Sequence, residues 1–183
     1  MSDLASPIPD YFALFGLEPA FAVDTAALTR AYRTVQAQVH PDRYAGAGAA
    51  ERRAALQWAT LANEAYQVLR SPARRAAYLC ERAGSAVSDD SARALTPDFL
   101  ELQMQWRQDL EEMRDHPEPQ RLERLRQDAR EQREREIEAL RHKLDDERDF
   151  PGAAAGVRRL MFVDNFLTQI DGPGDSRPAA LAH

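Results

Sequence analysis

The sequence is poor in several residue types, and each shortage excludes a class of protein. Its 183 residues include one cysteine, Cys80. This excludes a disulfide-stapled fold, a cysteine-rich zinc site and an iron–sulfur cluster held by the chain's own thiolates. The four histidines are scattered without paired spacing, so we expect no metal and no cofactor. The longest apolar runs have five residues, which is too short to cross a bilayer.

Residues that favour β-strands are also scarce. Valine, isoleucine and threonine number 16 together, whereas alanine, leucine, arginine, glutamate and glutamine dominate. This composition predicts a helical protein. The first ten residues, MSDLASPIPD, lack the basic and apolar segments of a secretory signal, so we expect a cytoplasmic protein.

The charge is distributed unevenly along the chain. Residues 1–84 carry a net charge of +1, and residues 85–183 carry −7. An acidic second half argues against nucleic acid as a partner. We therefore expect neither nucleic acid nor a membrane to be bound. The sequence favours a monomer and leaves a weak dimer open.

Apolar periodicity and helix caps predict an all-α protein with four helices, a linker and three more helices. The linker is rich in small polar residues and separates two domains. The segment Phe150-Pro151-Gly152 is expected to break the long second helix of the bundle before the last helix. The predicted organisation is an N-terminal extension at 1–9, an antiparallel hairpin plus short helices at 10–84, the linker at 85–95, an antiparallel three-helix bundle at 96–171, and a disordered tail at 172–183.

The motif His40-Pro41-Asp42 lies between two predicted antiparallel helices. On the preceding helix, Arg30 and Arg33 fall opposite the apolar stripe, and His40 lies nearer to them than to the core. Such a basic face should steer an acidic protein surface toward the loop. The same tripeptide could instead be an ordinary turn or a histidine–aspartate catalytic pair, although the loop offers no nucleophile.

These features together resemble the J-domain family. The resemblance rests on the short first helix, the basic second helix, the HPD loop, NEAYQVL at 63–69 and SPARRAAYL at 71–79. It implies a non-enzymatic module that docks on a DnaK-type ATPase chaperone and stimulates its ATP hydrolysis. The residues implied in chaperone binding are His40, Pro41, Asp42, Arg30, Arg33 and Arg43.

The second half carries no Gly/Phe-rich linker and no CxxCxGxG repeats. The whole chain instead resembles the HscB family, through DYFALFGLEP at 10–19, TPDFLELQMQWRQDLEE at 96–112 and VRRLMFVDNF at 157–166. The resemblance implies a co-chaperone that binds the iron–sulfur scaffold IscU and presents it to the chaperone HscA. The alternative is a J-domain adaptor that delivers another client to a general DnaK-type chaperone, or one whose HPD motif is vestigial.

Helical geometry predicts which bundle residues face outward. Leu100 and Met104 lie about 120–160° from the core direction of their helix, and Phe162 lies about 140° from that of the last helix. An outward apolar patch would mark a protein partner. The resemblance places client binding at Leu100, Met104, Gln105, Gln108 and Phe162. The chain departs from the family pattern at Glu101, where an apolar residue is usual, and at Gln105 and Gln108, where acidic residues are usual.

Overall fold

A computed structural model describes residues 10–44, 46–87 and 95–171, with the side chains of Pro41, Asp42 and Asp115 left undescribed. These residues form seven α-helices and no strand, which confirms the predicted all-α class. The helices are α1 (Tyr11–Leu14), α2 (Thr25–Val39), α3 (Ala49–Arg70), α4 (Pro72–Arg82), α5 (Pro97–Asp115), α6 (Pro119–Arg141) and α7 (Phe150–Asp171).

The chain divides into two compact units, one ending at Leu79 and one beginning at Cys80. The expectations for the extension at 1–9, for the linker residues 88–94 and for the tail at 172–183 lie outside the described residues.

The first unit is built on the antiparallel pair α2 and α3. The Asp24 carboxylate begins α2 by accepting hydrogen bonds from Ala26 N–H (2.8 Å) and Ala27 N–H (3.1 Å). Pro41 ends it, because proline disfavours the helical conformation of the residue before it. Between the helices, the rings of Tyr32 and Tyr66 stack with centroids 4.2 Å apart. The Tyr32 hydroxyl also donates to Asn63 Oδ1 (2.7 Å), which fixes how the two helices align.

Helices α1 and α4 close this unit. Phe12 of α1 is fully buried, and the neighbouring Tyr11 stacks on Tyr78 of α4 with centroids 4.6 Å apart. Arg75 of α4 is also buried, where its guanidinium donates to the Leu69 carbonyl oxygen and lies over the Phe21 ring. An arginine is tolerated there because its guanidinium has a carbonyl acceptor and an aromatic ring as partners.

The second unit is the predicted three-helix bundle of α5, α6 and α7. Aromatic rings of α5 and α7 fill its centre, with Trp106 stacked on Phe166 at 4.8 Å between centroids. The buried members of this core are Phe99, Trp106, Met113, Leu125, Ala129, Val163, Phe166, Leu167 and Ile170. Residues that recur at helical spacing on α5 and α7 therefore share one core.

Ion pairs set the antiparallel register of α6 and α7. Proceeding along α6, Arg126 Nε lies 2.8 Å from Asp171 Oδ1, and Arg133 Nε lies 2.7 Å from Asp164 Oδ1. The third pair joins the buried Glu136 to Arg159 Nε at 2.8 Å. Partners on α7 run backward as α6 runs forward, which is the pairing of antiparallel neighbours. Gly156 lets the helices approach closely, since a Cβ there would meet Leu140 Cδ2 at 3.0 Å.

The connection from α6 to α7 differs from the prediction. Helix α6 widens into a π-helical turn at His142–Asp146, and the chain then reverses through Arg148, which has a φ of 57°. Phe150, Pro151 and Gly152 are not the break in the long helix, because they form the first turn of α7, which begins at Phe150. Proline is tolerated in a first helical turn, where its missing N–H has no intrahelical acceptor. The Asp149 carboxylate accepts from Gly152 N–H (2.9 Å) and begins the helix.

Candidate functional site

The His40 motif lies where α2 ends. His40 is the last residue before a short 3₁₀ turn, Pro41–Tyr44, and its backbone is extended at φ −61° and ψ 132°. The His40 side chain is exposed, as the helical geometry predicted. The backbone of Pro41 and Asp42 belongs to the turn, and their side chains lie outside the described part of the structure.

The two residues after the motif hold the turn against α2. Arg43 N–H donates to the His40 carbonyl oxygen (3.0 Å), and Arg43 Nη1 donates to the Ala37 carbonyl oxygen (3.2 Å). The Tyr44 hydroxyl donates to the Gln38 carbonyl oxygen (3.4 Å). The last carbonyls of a helix have no intrahelical donor and carry partial negative charge, so a guanidinium there is favourable. Arg43 thus positions the loop while its side chain remains largely exposed.

A basic face leads into this loop. Arg30 and Arg33 are both exposed on α2, which confirms their predicted direction. Arg30 Nη2 lies 3.9 Å from Asp24 Oδ2, at the limit of an ion pair, and its side chain is 71% exposed. The pKa of Asp24 is lowered chiefly by the N–H groups of Ala27 and Ala26, with Arg30 a smaller cause. Asp24 therefore offsets little of the positive charge that Arg30 contributes to this face.

An apolar pair lies on the open side of the bundle. Leu100 is 44% exposed and Met104 is 73% exposed, one turn apart on α5. Both were predicted to face outward, and this is confirmed. Large apolar side chains this exposed gain little from the core, and a partner protein could cover them.

The position of Phe162 on α7 differs from the prediction. Its ring is half-buried rather than outward, and it packs at the edge of the core against Phe99 (5.8 Å between centroids) and Trp106 (6.3 Å). The Arg107 guanidinium lies over the same ring, 5.8 Å from its centroid. The physical reason is that aromatic rings from α5 extend the core beyond the narrow stripe that periodicity assigns to α7. Arg107 was not foreseen, because a cation–π contact between helices leaves no pattern in one sequence.

Of the two glutamines predicted with this patch, Gln108 follows Met104 by one helical turn, and Gln105 lies on another flank of α5. Gln108 is exposed, and its Nε2 donates to Glu112 Oε1 (3.1 Å). Gln105 lines a groove between α5 and α6, beside Leu102 and Asp109. Phe162 contacts the opposite flank of α5, where Arg107 lies. The structure therefore brings Leu100 and Met104 together, and it separates Gln105 from Phe162.

The described residues show little else that resembles a reactive centre. No group of histidine, cysteine, aspartate and glutamate side chains among them has the arrangement of a metal site. Cys80 is buried, and burial raises the pKa of its thiol to about 11, with Asp149 a smaller cause. A thiol with that pKa stays protonated at neutral pH and is a poor nucleophile. None of the described helices is long and apolar enough to span a membrane.

Two protein families match the chain, one in each half. The DnaJ domain matches residues 10–78, and the HSCB C-terminal oligomerisation domain matches residues 95–171. The first match contains the His40 loop and the basic face of α2. The second contains all three helices of the bundle.

Curated relatives match over most of their length. The co-chaperone protein HscB homolog of Cupriavidus taiwanensis is 50% identical over 155 residues, which cover 85% of this chain and 88% of that protein. The homolog of Bordetella petrii is 46% identical over 171 residues, which cover 93% and 97%.

Solved structures agree with this assignment. The chaperone HscB from Vibrio cholerae has a TM-score of 0.79 at 30% identity, covering 89% of this chain and 96% of that one. The human co-chaperone protein HscB has a TM-score of 0.84 and covers 91% and 82%, and at 23% identity it supports the fold alone. These relatives are co-chaperones rather than enzymes, and a J-domain in such a protein implies a DnaK-type chaperone partner. The chain therefore belongs to the HscB family of J-domain co-chaperones.

Proposed function

We propose that this protein binds the iron–sulfur scaffold IscU through its bundle, presents it to the chaperone HscA and stimulates HscA ATP hydrolysis. The observation that carries the proposal is the presence, in one HscB-family chain, of two exposed surfaces of different chemistry. One is basic and surrounds His40, and the other is the apolar pair Leu100 and Met104. The protein would act in the cytoplasm as a monomer, without a cofactor of its own.

The first surface is suited to docking on an acidic face of an ATPase. Arg30 and Arg33 provide a long-range attraction that speeds encounter, and the folded-back turn holds His40 at the end of that strip. In this proposal, ATP is hydrolysed at the ATPase site of the chaperone partner. It acts by binding one conformation of the chaperone better than another, which shifts the equilibrium of its partner.

The second surface is suited to an apolar client segment. Single exposed apolar residues are common on soluble proteins, but Leu100 and Met104 are adjacent on one helical face. Burying this pair under a client would remove apolar area from water and supply a small binding centre. Phe162 would support the edge of that centre through its exposed portion, and Gln108 would contribute at its polar rim.

A second candidate is delivery of a different client to a general DnaK-type chaperone. It is favoured by Glu101, Gln105 and Gln108, whose charges differ from the family pattern around the apolar pair. The two candidates share the J-domain role and differ in the partners used.

Steady-state ATPase measurements on HscA, with and without IscU, test the proposal. His40→Gln should leave the helical fold and IscU binding intact and reduce stimulation to the basal rate. The double variant L100A/M104A should stimulate HscA alone but lose the additional rate that IscU provides. His116→Gln and Leu56→Ala serve as matched controls, since both residues are exposed and lie outside the two surfaces.

Each remaining outcome has a definite meaning. Stimulation of HscA that IscU does not increase would contradict the assigned client. Stimulation of DnaK but not of HscA would favour the second candidate. If neither chaperone responds to the wild-type protein, the J-domain role itself is wrong.

A further inference from the structure

A groove between α5 and α6 is a feature of the bundle that the two proposed surfaces do not use. It encloses about 260 Å³, and its floor is the edge of the core, formed by Leu102, Trp106 and Leu125. Pockets for small molecules commonly enclose roughly 300–1,000 Å³. The groove is below that range, and its dimensions suit one long side chain better than a metabolite.

The rim of the groove is acidic. Asp109, Asp128 and Glu131 contribute three carboxylates, and Arg135 contributes one guanidinium, so the lining has a formal charge of −2. Asp109 is already paired with Arg121. Glu131 lies at the 4.0 Å limit of an ion pair with Arg135. Within the described part of the chain, the Asp128 carboxylate has no hydrogen bond and no ion pair. The negative charge at this rim is therefore incompletely compensated.

An apolar floor under carboxylates matches the chemistry of an arginine side chain. Its methylene stem can lie along Leu102 and Leu125, while its planar guanidinium reaches the rim carboxylates with several N–H groups. Arginine is also less strongly hydrated than lysine, so partial burial costs it less. The acidic second half of the chain would attract a basic segment before contact.

We propose that this groove holds an arginine side chain of the client protein, next to the apolar segment bound at Leu100 and Met104. The inference rests on the proposed function, because Gln105 lines the groove and directly follows Met104 on α5. The client would thereby contact two faces of α5, one apolar and one acidic. The groove would select clients that place an arginine beside an apolar anchor.

Titration calorimetry with IscU tests the inference on the full chain. The double variant D128N/E131Q should weaken IscU binding about tenfold, and the loss should shrink at high salt. The matched control is E123Q/E134Q, which removes the same charge from exposed positions of α6 outside the groove. Equal losses in both double variants, or no loss in D128N/E131Q, would overturn the proposal.

A second experiment tests whether the groove binds arginine, independently of which client the protein binds. N-acetyl-arginine amide, titrated into ¹⁵N-labelled protein, should shift the amide signals of Gln105, Asp109 and Asp128, and its uncharged citrulline analogue should not. The shifts should disappear in D128N/E131Q. Shifts spread evenly over the acidic surface would overturn the proposal. Localised shifts in a protein that does not bind IscU would support the groove and contradict the proposed client.

Discussion

At the scale of single residues, Asp149 shows how one carboxylate stabilises the start of a helix. It accepts hydrogen bonds from Gly152 N–H (2.9 Å) and from Lys143 Nζ (3.0 Å). Both favour the ionised form, so the pKa of Asp149 lies below its usual value of 3.8, with the Gly152 hydrogen bond the largest cause. Lys143 is the only lysine of the chain, and its position beside this cap makes it a structural residue.

Replacing Asp149 by asparagine should make a pH-dependent part of the stability disappear. A carboxyl whose pKa is depressed in the folded state stabilises the protein above the unfolded value, and that stabilisation is lost as pH falls through the folded value. Asparagine still accepts from Gly152 N–H but does not titrate. The urea midpoint of wild type should therefore exceed that of D149N at neutral pH and approach it below pH 3.8. D149S, another uncharged cap, should follow D149N, and a gap that is constant with pH would contradict this assignment.

The exposure of a side chain could be predicted from the sequence where it depends only on the apolar stripe of its own helix. Leu100 and Met104 face outward because the apolar stripe of α5 leaves them on the far side. Phe162 could not be placed in the same way, because its burial depends on Phe99 and Trp106 of another helix. Asp128 likewise gains its place on a groove only when α5 and α6 pack together.

At the scale of elements, α5 presents three faces with different tasks. One face is buried in the core through Phe99 and Trp106, and the open face carries Leu100 and Met104. The third face, with Gln105 and Asp109, forms one wall of the groove. A single helix thus contributes to the stability of the bundle and to both proposed client contacts.

Substitutions on these faces should separate stability from binding. Trp106→Ala should lower the free energy of unfolding by about 3–5 kcal/mol, because it empties the centre of an aromatic core. Met104→Ala should change it by less than about 0.5 kcal/mol, since the Met104 side chain is 73% exposed. Urea denaturation followed by circular dichroism measures both. A Met104→Ala cost of several kcal/mol would show that this side chain supports the fold, and the patch would then lose its assigned role.

Most helix bounds could be predicted because local signals mark them. Helix α3 runs from Ala49 to Arg70 and ends where Ser71 and Pro72 mark the start of α4. The start of α7 at Phe150 could not be predicted in this way. A proline followed by a glycine indicates the end of a helix, unless it is known that Asp149 caps a new one. The π-helical turn at His142–Asp146 was missed as well. Its hydrogen bonds depend on how α6 meets α7, and no residue pattern within the turn indicates them.

At the scale of the whole molecule, the two surfaces lie in separate compact units of one chain. The basic face belongs to the unit that ends at Leu79, and the apolar pair belongs to the unit that begins at Cys80. The opposite net charges of the two halves suit partners of different chemistry. Covalent connection then gives the proposed function its physical basis, because a client bound at one unit is kept at high effective concentration near a chaperone bound at the other.

Because the chaperone surface and the client surface are covalently connected, we predict that two chains carrying one surface each cannot replace a chain that carries both. A mixture of H40Q, which retains the client surface, and L100A/M104A, which retains the chaperone surface, contains both activities on separate chains. It should stimulate HscA through the second variant without the additional rate that IscU gives with wild type. Adding more H40Q should not restore that rate, because it captures IscU on chains that do not engage the chaperone. ATPase rates at constant total protein measure the effect, with wild type as the reference. Full recovery of the IscU-dependent rate in the mixture would show that the two units work independently and that their connection has no role in client delivery.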